Sequence, residues 1–418
     1  MCGDDPGDMN TASVRMSLMQ KLDKSIFSTL FFSIFATVTG VGIVVPLLPV
    51  YAHDLGAGGL YIGMIFGAFS LSRTILLPYF GRQSDKKGRK TFIVPGLFAY
   101  TLISIAFIFS KNINSIIVLR FVQGAASAML LPVIQAYVGD ITPQGREGFV
   151  MGIFNMSLFL GLSLGPVLGG VINDRFNLDA AFIGMGGLSF IGFLLSFFLL
   201  PPTRSERVVL QGRPPAAWKR LLKDRDIAGL FLFRLAYTAC IGIIWGFLPV
   251  LGAEELSLSS SSIGILVMLA IFVSGLIHVP MGYLADRINK KLMIVSGGLL
   301  AGYAVLTFTW AATFGDMVTA SLLFGIGGGI SMPALAALSV LIGNKTDAMG
   351  SVMALLTVGH SLGMLVGAML AGLMMDLFQL RQVFPLGTVI MGLGVGLFVI
   401  CTLHPKTRGD SVASGKQL

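Results

Sequence analysis

Five ionisable side chains lie inside long apolar stretches of the sequence: Arg73, Arg120, Arg234, His278 and His360. Such groups are costly in an apolar environment, so they are candidates for a functional role. Imidazole has an unperturbed pKa of about 6.5 and suits proton exchange near neutral pH. Guanidinium stays charged and binds carboxylates or phosphates. All 20 Asp and Glu residues lie at the ends of these stretches or between them.

The composition is typical of a polytopic membrane protein. Only 12% of the 418 residues are charged and 55% are hydrophobic, whereas soluble domains carry about 25% charged residues. This excludes a soluble enzyme, a disordered tail protein and a secreted disulfide scaffold. Three widely spaced cysteines and four histidines show no metal-ligand spacing, so we expect no metal site and no cofactor. His53 and His404 look like loop residues.

A membrane helix needs about 20 mainly apolar residues, and twelve stretches meet this requirement. The spans are 25–50, 59–81, 91–110, 115–139, 147–171, 180–200, 227–251, 261–283, 291–312, 317–341, 349–374 and 382–403. The predicted fold is therefore all-α with twelve transmembrane helices. Residues 1–24 and 404–418 form the termini, and 201–226 form a basic linker. The residues around Trp218 form either a short amphipathic helix or a solvated basic segment.

The positive charges orient these spans. Of the 29 Lys and Arg residues, 23 lie in the termini and alternate loops that share one side, three lie on the other side and three lie within spans. Positive residues accumulate on the cytoplasmic side of membrane proteins. Both termini are therefore predicted to be cytoplasmic, and the net charge of +9 reflects topology rather than nucleic-acid binding. The localisation predicted is the inner membrane, with membrane lipids around the spans.

The second six spans repeat the first six. Leu48-Pro49-Val50 recurs as Leu248-Pro249-Val250, and Asp174 recurs as Asp376. An offset near 200 residues persists through all six spans. Because each half has an even number of spans, the halves are parallel repeats, at residues 25–200 and 227–403. Such halves place a substrate site between them near the midplane.

A motif after span 2 is present in two copies. The first runs from Gly81 to Lys90, where Gly81 permits close helix approach and Gly88 a tight turn. Asp85 can meet a helix N-terminus, and Arg89 can pair with Asp140. The second copy, from Gly282 to Lys291, keeps Asp286 but lacks the internal glycine.

These strings resemble the G-x-x-x-D-[RK]-x-G-[RK]-[RK] signature of the major facilitator superfamily. Arg120-Phe-Val-Gln-Gly124 resembles its R-x-x-Q-G element. Span 5 resembles the motif G-x-x-x-G-P-x-x-G-G of the twelve-span drug/proton antiporter branch. Its matching residues are Gly161, Gly165, Pro166, Gly169 and Gly170. Many members of that branch keep an acidic residue in span 1 or span 4, which this sequence lacks.

The resemblance implies a non-enzymatic, monomeric carrier that exports small amphipathic compounds in exchange for protons by alternating access. The residues around Asp85, with Asp140, would latch one side. Candidate cavity residues are Arg73, Arg120, Gln123, Asn155, Arg234 and Tyr237. His360 is the first candidate for proton coupling and Asp85 the second. For each of these residues, a role in packing or hydrogen bonding between helices is the alternative.

Three other functions stay open. An arginine-bearing, acid-free cavity suits an anion better than a cation, so the substrate could be an anionic lipid or organic anion. Solute uptake by symport or facilitated diffusion is a second alternative, against which the span 5 motif argues. A non-transporting receptor on the same fold is a third, disfavoured by the intact motif and repeat. The absence of a phosphate-binding G-x-x-x-x-G-K-[ST] sequence argues against ATP drive.

Overall fold

A computed structural model describes residues 23–143, 146–201, 221–345 and 349–403. Within these ranges the chain forms α-helices and two short 3₁₀ turns, and no strand. The helices are α1 Lys24–Val44, α2 Leu47–Asp54, α3 Gly59–Lys87, α4 Lys90–Ile108, α5 Ile113–Ile141, α6 Glu147–Arg175, α7 Leu178–Leu199, α8 Arg225–Glu254, α9 Ser260–Arg287, α10 Lys290–Thr307, α11 Phe314–Lys345, α12 Met349–Leu377 and α13 Val383–Leu403. The predicted helix near Trp218 and most of both termini lie outside the described residues.

Twelve helical segments are long and apolar enough to cross a membrane, which confirms the predicted fold class. Helices α1 and α2 together make the first segment, and α3 to α13 make the other eleven. The chain turns at Val45 and Pro46 between α1 and α2. Proline has no N–H to continue a helical hydrogen-bond ladder, which accounts for a break at this position.

Helix α3 is longer than the predicted second span. Helix α3 continues to Lys87, beyond the predicted end of span 2 at residue 81. Arg82, Gln83, Lys86 and Lys87 are polar and favourable in helices, and Ser84 Oγ donates to the Gly81 carbonyl at 2.8 Å. A helix can continue beyond the apolar layer as a charged segment. Because spans are predicted from apolar residues, the prediction does not include this charged end.

The same packing pattern occurs in both halves of the chain. Helix α1 packs on α6 and α7, while α8 packs on α12 and α13. Helix α4 contacts α5 and α7, while α10 contacts α11 and α13. Each pair in the first half has its counterpart about 200 residues later, as the internal sequence repeat predicts.

The chain divides into two compact units. One comprises Met1–Leu48, Ser72–Leu210 and Ser259–Met268. The other comprises Pro49–Leu71, Gln211–Leu258 and Leu269–Leu418. These units differ from the predicted halves at two places. Pro49–Leu71, which covers most of α2 and the first part of α3, belongs to the second unit, and the first part of α9 belongs to the first unit.

A carboxylate caps each of these two helix starts. In the second unit, Asp376 accepts hydrogen bonds from the backbone N–H groups of Gly59 and Leu60, at 2.5 and 2.8 Å. In the first unit, Asp174 accepts from Ser260 and Ser261, at 3.0 and 2.8 Å. The first N–H groups of a helix lack intrahelical partners and carry partial positive charge, so a carboxylate there is stabilising.

Two lysines play the matching role at helix C-termini. Lys90 Nζ donates to the carbonyl groups of Phe197 and Leu200, at 2.8 and 2.5 Å, at the end of α7. Lys291, the repeat equivalent of Lys90, donates to the Thr402 carbonyl at the end of α13. A cation is favourable at the negative end of a helix. The repeat therefore preserves helix-end electrostatics as well as apolar pattern.

We predict that Asp376→Ala lowers the thermal stability of the purified protein in detergent, because it leaves two N–H groups of α3 without their carboxylate. The expected loss is about 0.5–2 kcal/mol, the usual range for helix caps. Asp376→Asn should restore part of it, since an amide oxygen still accepts. Asp286→Ala, at an exposed aspartate, is the control. Equal melting temperatures for all four proteins would contradict a capping role.

Candidate functional site

A row of glycines on α6 lets that helix approach the backbone of α1 in the first unit. A Cβ added at Gly165 would lie 2.6 Å from the Cα of Gly42 and 2.6 Å from the Thr39 carbonyl oxygen. At Gly161 it would lie 3.1 Å from the Phe35 carbonyl oxygen. Real side chains do not tolerate the shorter of these distances, so the span 5 motif is the contact surface itself. Helices in lipid gain van der Waals contact through such small residues.

The rest of the motif extends this packing. A Cβ at Gly169 would collide with the Ile43 carbonyl of α1, and one at Gly170 would collide with the Ser260 carbonyl at the start of α9. Pro166 lies beside Gly42, with its Cδ 3.2 Å from the position of a Cβ there. The second unit repeats the pattern, because Gly367 of α12 lies against the backbone of Ala239 in α8.

The predicted motif after the second span forms an ionic cluster around Arg89. The Arg89 side chain is only 7% exposed and pairs with Asp85. Its Nε also donates to Asp140 at 3.0 Å, and one terminal nitrogen donates to Ser84 at 2.8 Å. Gly88 has φ +90°, which permits the turn between α3 and α4. The structure therefore brings together Asp85, Gly88, Arg89 and Asp140.

The other members of the motif behave differently. A Cβ at Gly81 would meet no atom within 4 Å among the described residues, so the expectation of a close helix approach there is wrong. Gly282 is also loosely surrounded, with Pro333 Cβ at 4.0 Å. Asp286 is exposed, and the neighbouring Arg287 stacks on Tyr283 at 4.2 Å from the ring centroid. The second copy therefore preserves the sequence pattern without the buried arginine.

Arg120 and Gln123 form a buried polar pair on α5. Arg120 donates to Gln123 Oε1 at 2.8 Å, and the two side chains lie in residues that are 4% and 1% exposed. Tyr100 of α4, hydrogen-bonded to Ser127, lies within electrostatic range of Arg120 and Arg73. Because both residues are almost fully buried, packing and orientation of the guanidinium are favoured over its direct contact with a substrate.

Arg234 of α8 is the second embedded arginine with defined partners. One terminal nitrogen donates to the Met332 sulfur at 2.7 Å, and the other lies 3.2 Å from Nδ1 of His360. Because guanidinium can only donate, this contact requires an unprotonated Nδ1. The two predicted residues Arg234 and His360 therefore meet within the second unit, 126 positions apart in the chain.

The remaining predicted cavity residues occupy separate environments. Tyr237 is 5% exposed and stacks on Phe324 with ring centroids 5.5 Å apart. Its hydroxyl occupies the space beside Gly328, so it contributes to packing of the helices. Asn155 is half-buried on α6, and Arg73 is half-buried on α3. His278 of α9 lies within electrostatic range of Arg234.

Sequence patterns did not point to Met332 or Tyr100 as partners of the arginines. Neither residue belongs to a motif, and both lie on other helices. The two capping aspartates could be noticed in the sequence, because Asp174 and Asp376 are repeat equivalents. Their partners at the starts of α9 and α3 follow only from the folded chain.

The family model of the Major Facilitator Superfamily matches residues 30–253 and 230–417. The chain belongs to this superfamily. It is 28% identical to an uncharacterized transporter of this type from Methanocaldococcus jannaschii, over 89% of this chain and 96% of the relative. It is 25% identical to the quinolone resistance protein NorA of Staphylococcus aureus, over 90% and 95% of the two chains. The resemblance to the drug/proton antiporter branch is thereby confirmed.

Solved structures of other carriers share the fold. A bacterial homologue of the lysosomal transporter Spinster matches with a TM-score of 0.77 at 13% identity, covering 91% of this chain and 97% of that one. The human organic anion transporter MFSD10 matches with a TM-score of 0.64 at 18% identity, covering 91% and 100%. The protein is therefore a multi-pass membrane transporter of this superfamily and not an enzyme.

We predict that Gly165→Ala destabilises the protein, because the added methyl group would force α6 away from the backbone of α1. Overpacking of this kind costs about 1–3 kcal/mol. Gly81→Ala is the matched control, since its methyl group meets open space and alanine is the better helix former. The measurement is thermal unfolding of both variants in the same detergent. A Gly165→Ala protein as stable as wild type would contradict the close contact.

Proposed function

We propose that the protein exports small amphipathic compounds across the inner membrane in exchange for protons, with both termini in the cytoplasm. The packing of the span 5 glycine-proline motif on α1 carries this proposal, because that motif is typical of the antiporter branch. Relatives point the same way: NorA is named for quinolone resistance. Multidrug resistance protein 2 of Bacillus subtilis is 24% identical over 90% of this chain and 95% of its own.

Transport would proceed by alternating access, in which residues of about 1–200 rock against those of about 226–405. The Arg89 cluster is suited to act as a latch. Arg89 is nearly buried and pairs with two carboxylates, Asp85 and Asp140. Removing either negative charge takes an ionic partner from this guanidinium, which is costly for a buried charge. Asp85, as one of these two carboxylates, is the second coupling candidate.

His360 is the first coupling candidate because its protonation state is linked to a neighbouring charge. Neutral His360 accepts from Arg234 through Nδ1. A protonated imidazole has two N–H donors and a positive charge, so it would repel that guanidinium. Proton uptake would therefore separate the two side chains and rearrange the contact between α8 and α12. This gives protonation a structural consequence, as coupling requires.

We predict that His360→Asn uncouples transport without unfolding the protein, because an amide oxygen still accepts from Arg234 but does not titrate. The purified protein is reconstituted in liposomes with an imposed pH gradient, and accumulation of cationic and neutral amphiphilic dyes is followed. Accumulation driven by the gradient should fall about tenfold or more, which is the loss of at least about 1.4 kcal/mol of coupling.

The control for this experiment is His278→Asn, at another embedded histidine, which should keep gradient-driven accumulation. Melting temperatures of both variants establish that they are folded. Unchanged gradient-driven transport in His360→Asn would eliminate His360 as the proton carrier. Failure of every cationic and neutral dye to respond to the gradient in wild type would contradict the proposed export.

A second candidate function is export of an organic anion or an anionic lipid, and one observation favours it. The two contacts of Arg234 are to neutral acceptors, the Met332 sulfur and the His360 nitrogen. Across the described ranges, no Asp or Glu pairs with Arg234. A guanidinium held only by neutral groups keeps its attraction for a carboxylate or phosphate.

For this candidate we predict that wild type transports an anionic dye or a fluorescent phosphatidylglycerol, and that Arg234→Ala abolishes this transport while Arg234→Lys retains part of it. Lysine keeps the charge but loses the planar fork that grips an oxyanion. The readout is dye or lipid movement in the same liposomes, and the two probes separate a soluble anion from a lipid. Equal rates of anionic dye and lipid transport for Arg234→Ala and wild type would contradict this candidate function.

A further inference from the structure

Three metal-ligating side chains meet at the ends of two helices in the second unit, where sequence spacing predicts no metal site. His53 and Asp54 are the last two residues of α2, and Glu254 is the last residue of α8. One ligand atom from each side chain lies within 4.8 Å of the others. His53 Nδ1 is 3.2 Å from Glu254 Oε1. His53 thus lies in a helix, and not in the loop that the sequence predicts.

The internal repeat relates the carboxylates of this cluster, which lie 200 positions apart in the chain. The turn at Val45 and Pro46 ends α1 and starts α2 as a separate short helix. Asp54 and Glu254 follow the repeated Leu-Pro-Val tripeptide at equal distances, so they are equivalent positions of the two repeats. His53 has no counterpart in the second repeat, where Ala253 stands. The repeat therefore supplies two carboxylates, and the first repeat alone adds the imidazole.

The charges of this cluster are not balanced by the protein. In the part of the chain that the structure describes, no lysine or arginine pairs with Asp54 or Glu254. The neighbouring Glu255 shows the contrast, because Arg381 donates to it at 2.5 Å. Two carboxylates so close to one another repel, and a single imidazole offsets at most one negative charge. A divalent cation would neutralise both.

We propose that His53, Asp54 and Glu254 bind a divalent transition-metal ion, with Zn²⁺ as the best match. One imidazole nitrogen and two carboxylate oxygens form a ligand set that suits zinc, with water completing a tetrahedron. Ligand atoms around zinc lie about 3.3 Å apart at metal–ligand bonds of about 2.0 Å. The His53–Glu254 pair already has this spacing. All three side chains are at least partly exposed, so small rotations bring Asp54 into range.

A bound ion would join the end of α2 to the end of α8. Binding to the folded protein alone raises its stability by mass action, so zinc should raise the melting temperature. Mg²⁺ should not substitute, since it prefers oxygen ligands in an octahedron and keeps its waters. This inference does not rest on the proposed export, because the ligands and the readouts are independent of transport.

The test is calorimetric titration of the chelator-stripped, purified full-length protein with ZnCl₂, and separately with MgCl₂. Wild type should bind one zinc ion per chain, and its melting temperature should rise with zinc. His53→Ala and Glu254→Gln should each weaken zinc binding by about tenfold or more, as expected for the loss of a ligand. Glu255→Gln is the matched control, one residue away on the same helix end, and should bind as wild type does.

Melting curves without metal establish that the variants are folded, and the exposed positions make this outcome the expected one. No saturable zinc binding to wild type would show that His53 and Glu254 form only an ion pair, and would overturn the proposal. Zinc binding that is equal in wild type, His53→Ala and Glu254→Gln would place the ion elsewhere and would overturn it as well.

Discussion

The close approach of helix backbones through glycine is the contact on which the structure depends. Lipid tails are as apolar as leucine, so burial of apolar surface does not hold membrane helices together. Packing contact and polar interactions must do so. At Gly165 and Gly42, α6 and α1 come close enough that a single methyl group would not fit. The second repeat reproduces this contact at Gly367 and Ala239.

Electrostatics at the helix ends adds to this packing. Asp174 and Asp376 cap helix N-termini, and Lys90 and Lys291 meet helix C-termini. Both pairs are repeat equivalents, so the two halves stabilise their helix ends with the same residue types. The few charges that the sequence carries near its spans are therefore used largely to terminate helices. The embedded Arg120 and Arg234 are exceptions, since they lie within spans and donate to the neutral side chains of Gln123 and Met332.

The fold was predictable from the sequence because span length, charge asymmetry and the repeat are local or periodic signals. The pair of Arg89 and Asp140 followed from a motif, whereas the glycine spacing of span 5 predicted a close helix contact without naming α1 as its partner. Contacts between distant residues without a pattern were not predictable. His53 and Glu254 meet although no motif or spacing links them. Tyr237 is a packing residue because Gly328 leaves room for its hydroxyl, and the sequence around Tyr237 does not contain that information.

At Gly81 the sequence pattern led to a prediction that the structure does not support. The sequence suggested close helix approach, yet the space beside this residue is open within the described chain. In contrast, Gly88 in the same motif has the positive φ that only glycine adopts easily. Glycine at position 88 therefore meets a backbone requirement, whereas the described structure reveals no such requirement at position 81.

The central claim is exchange of an amphipathic substrate for protons, and the direction of proton movement tests it most directly. Purified protein in liposomes with a pH indicator inside, and no imposed pH gradient, is given an outward gradient of a transported dye. Antiport predicts that protons enter as the dye leaves, so the interior acidifies, and that protein-free liposomes do not respond. Dye movement without any change of internal pH, or with alkalinisation, would contradict the account.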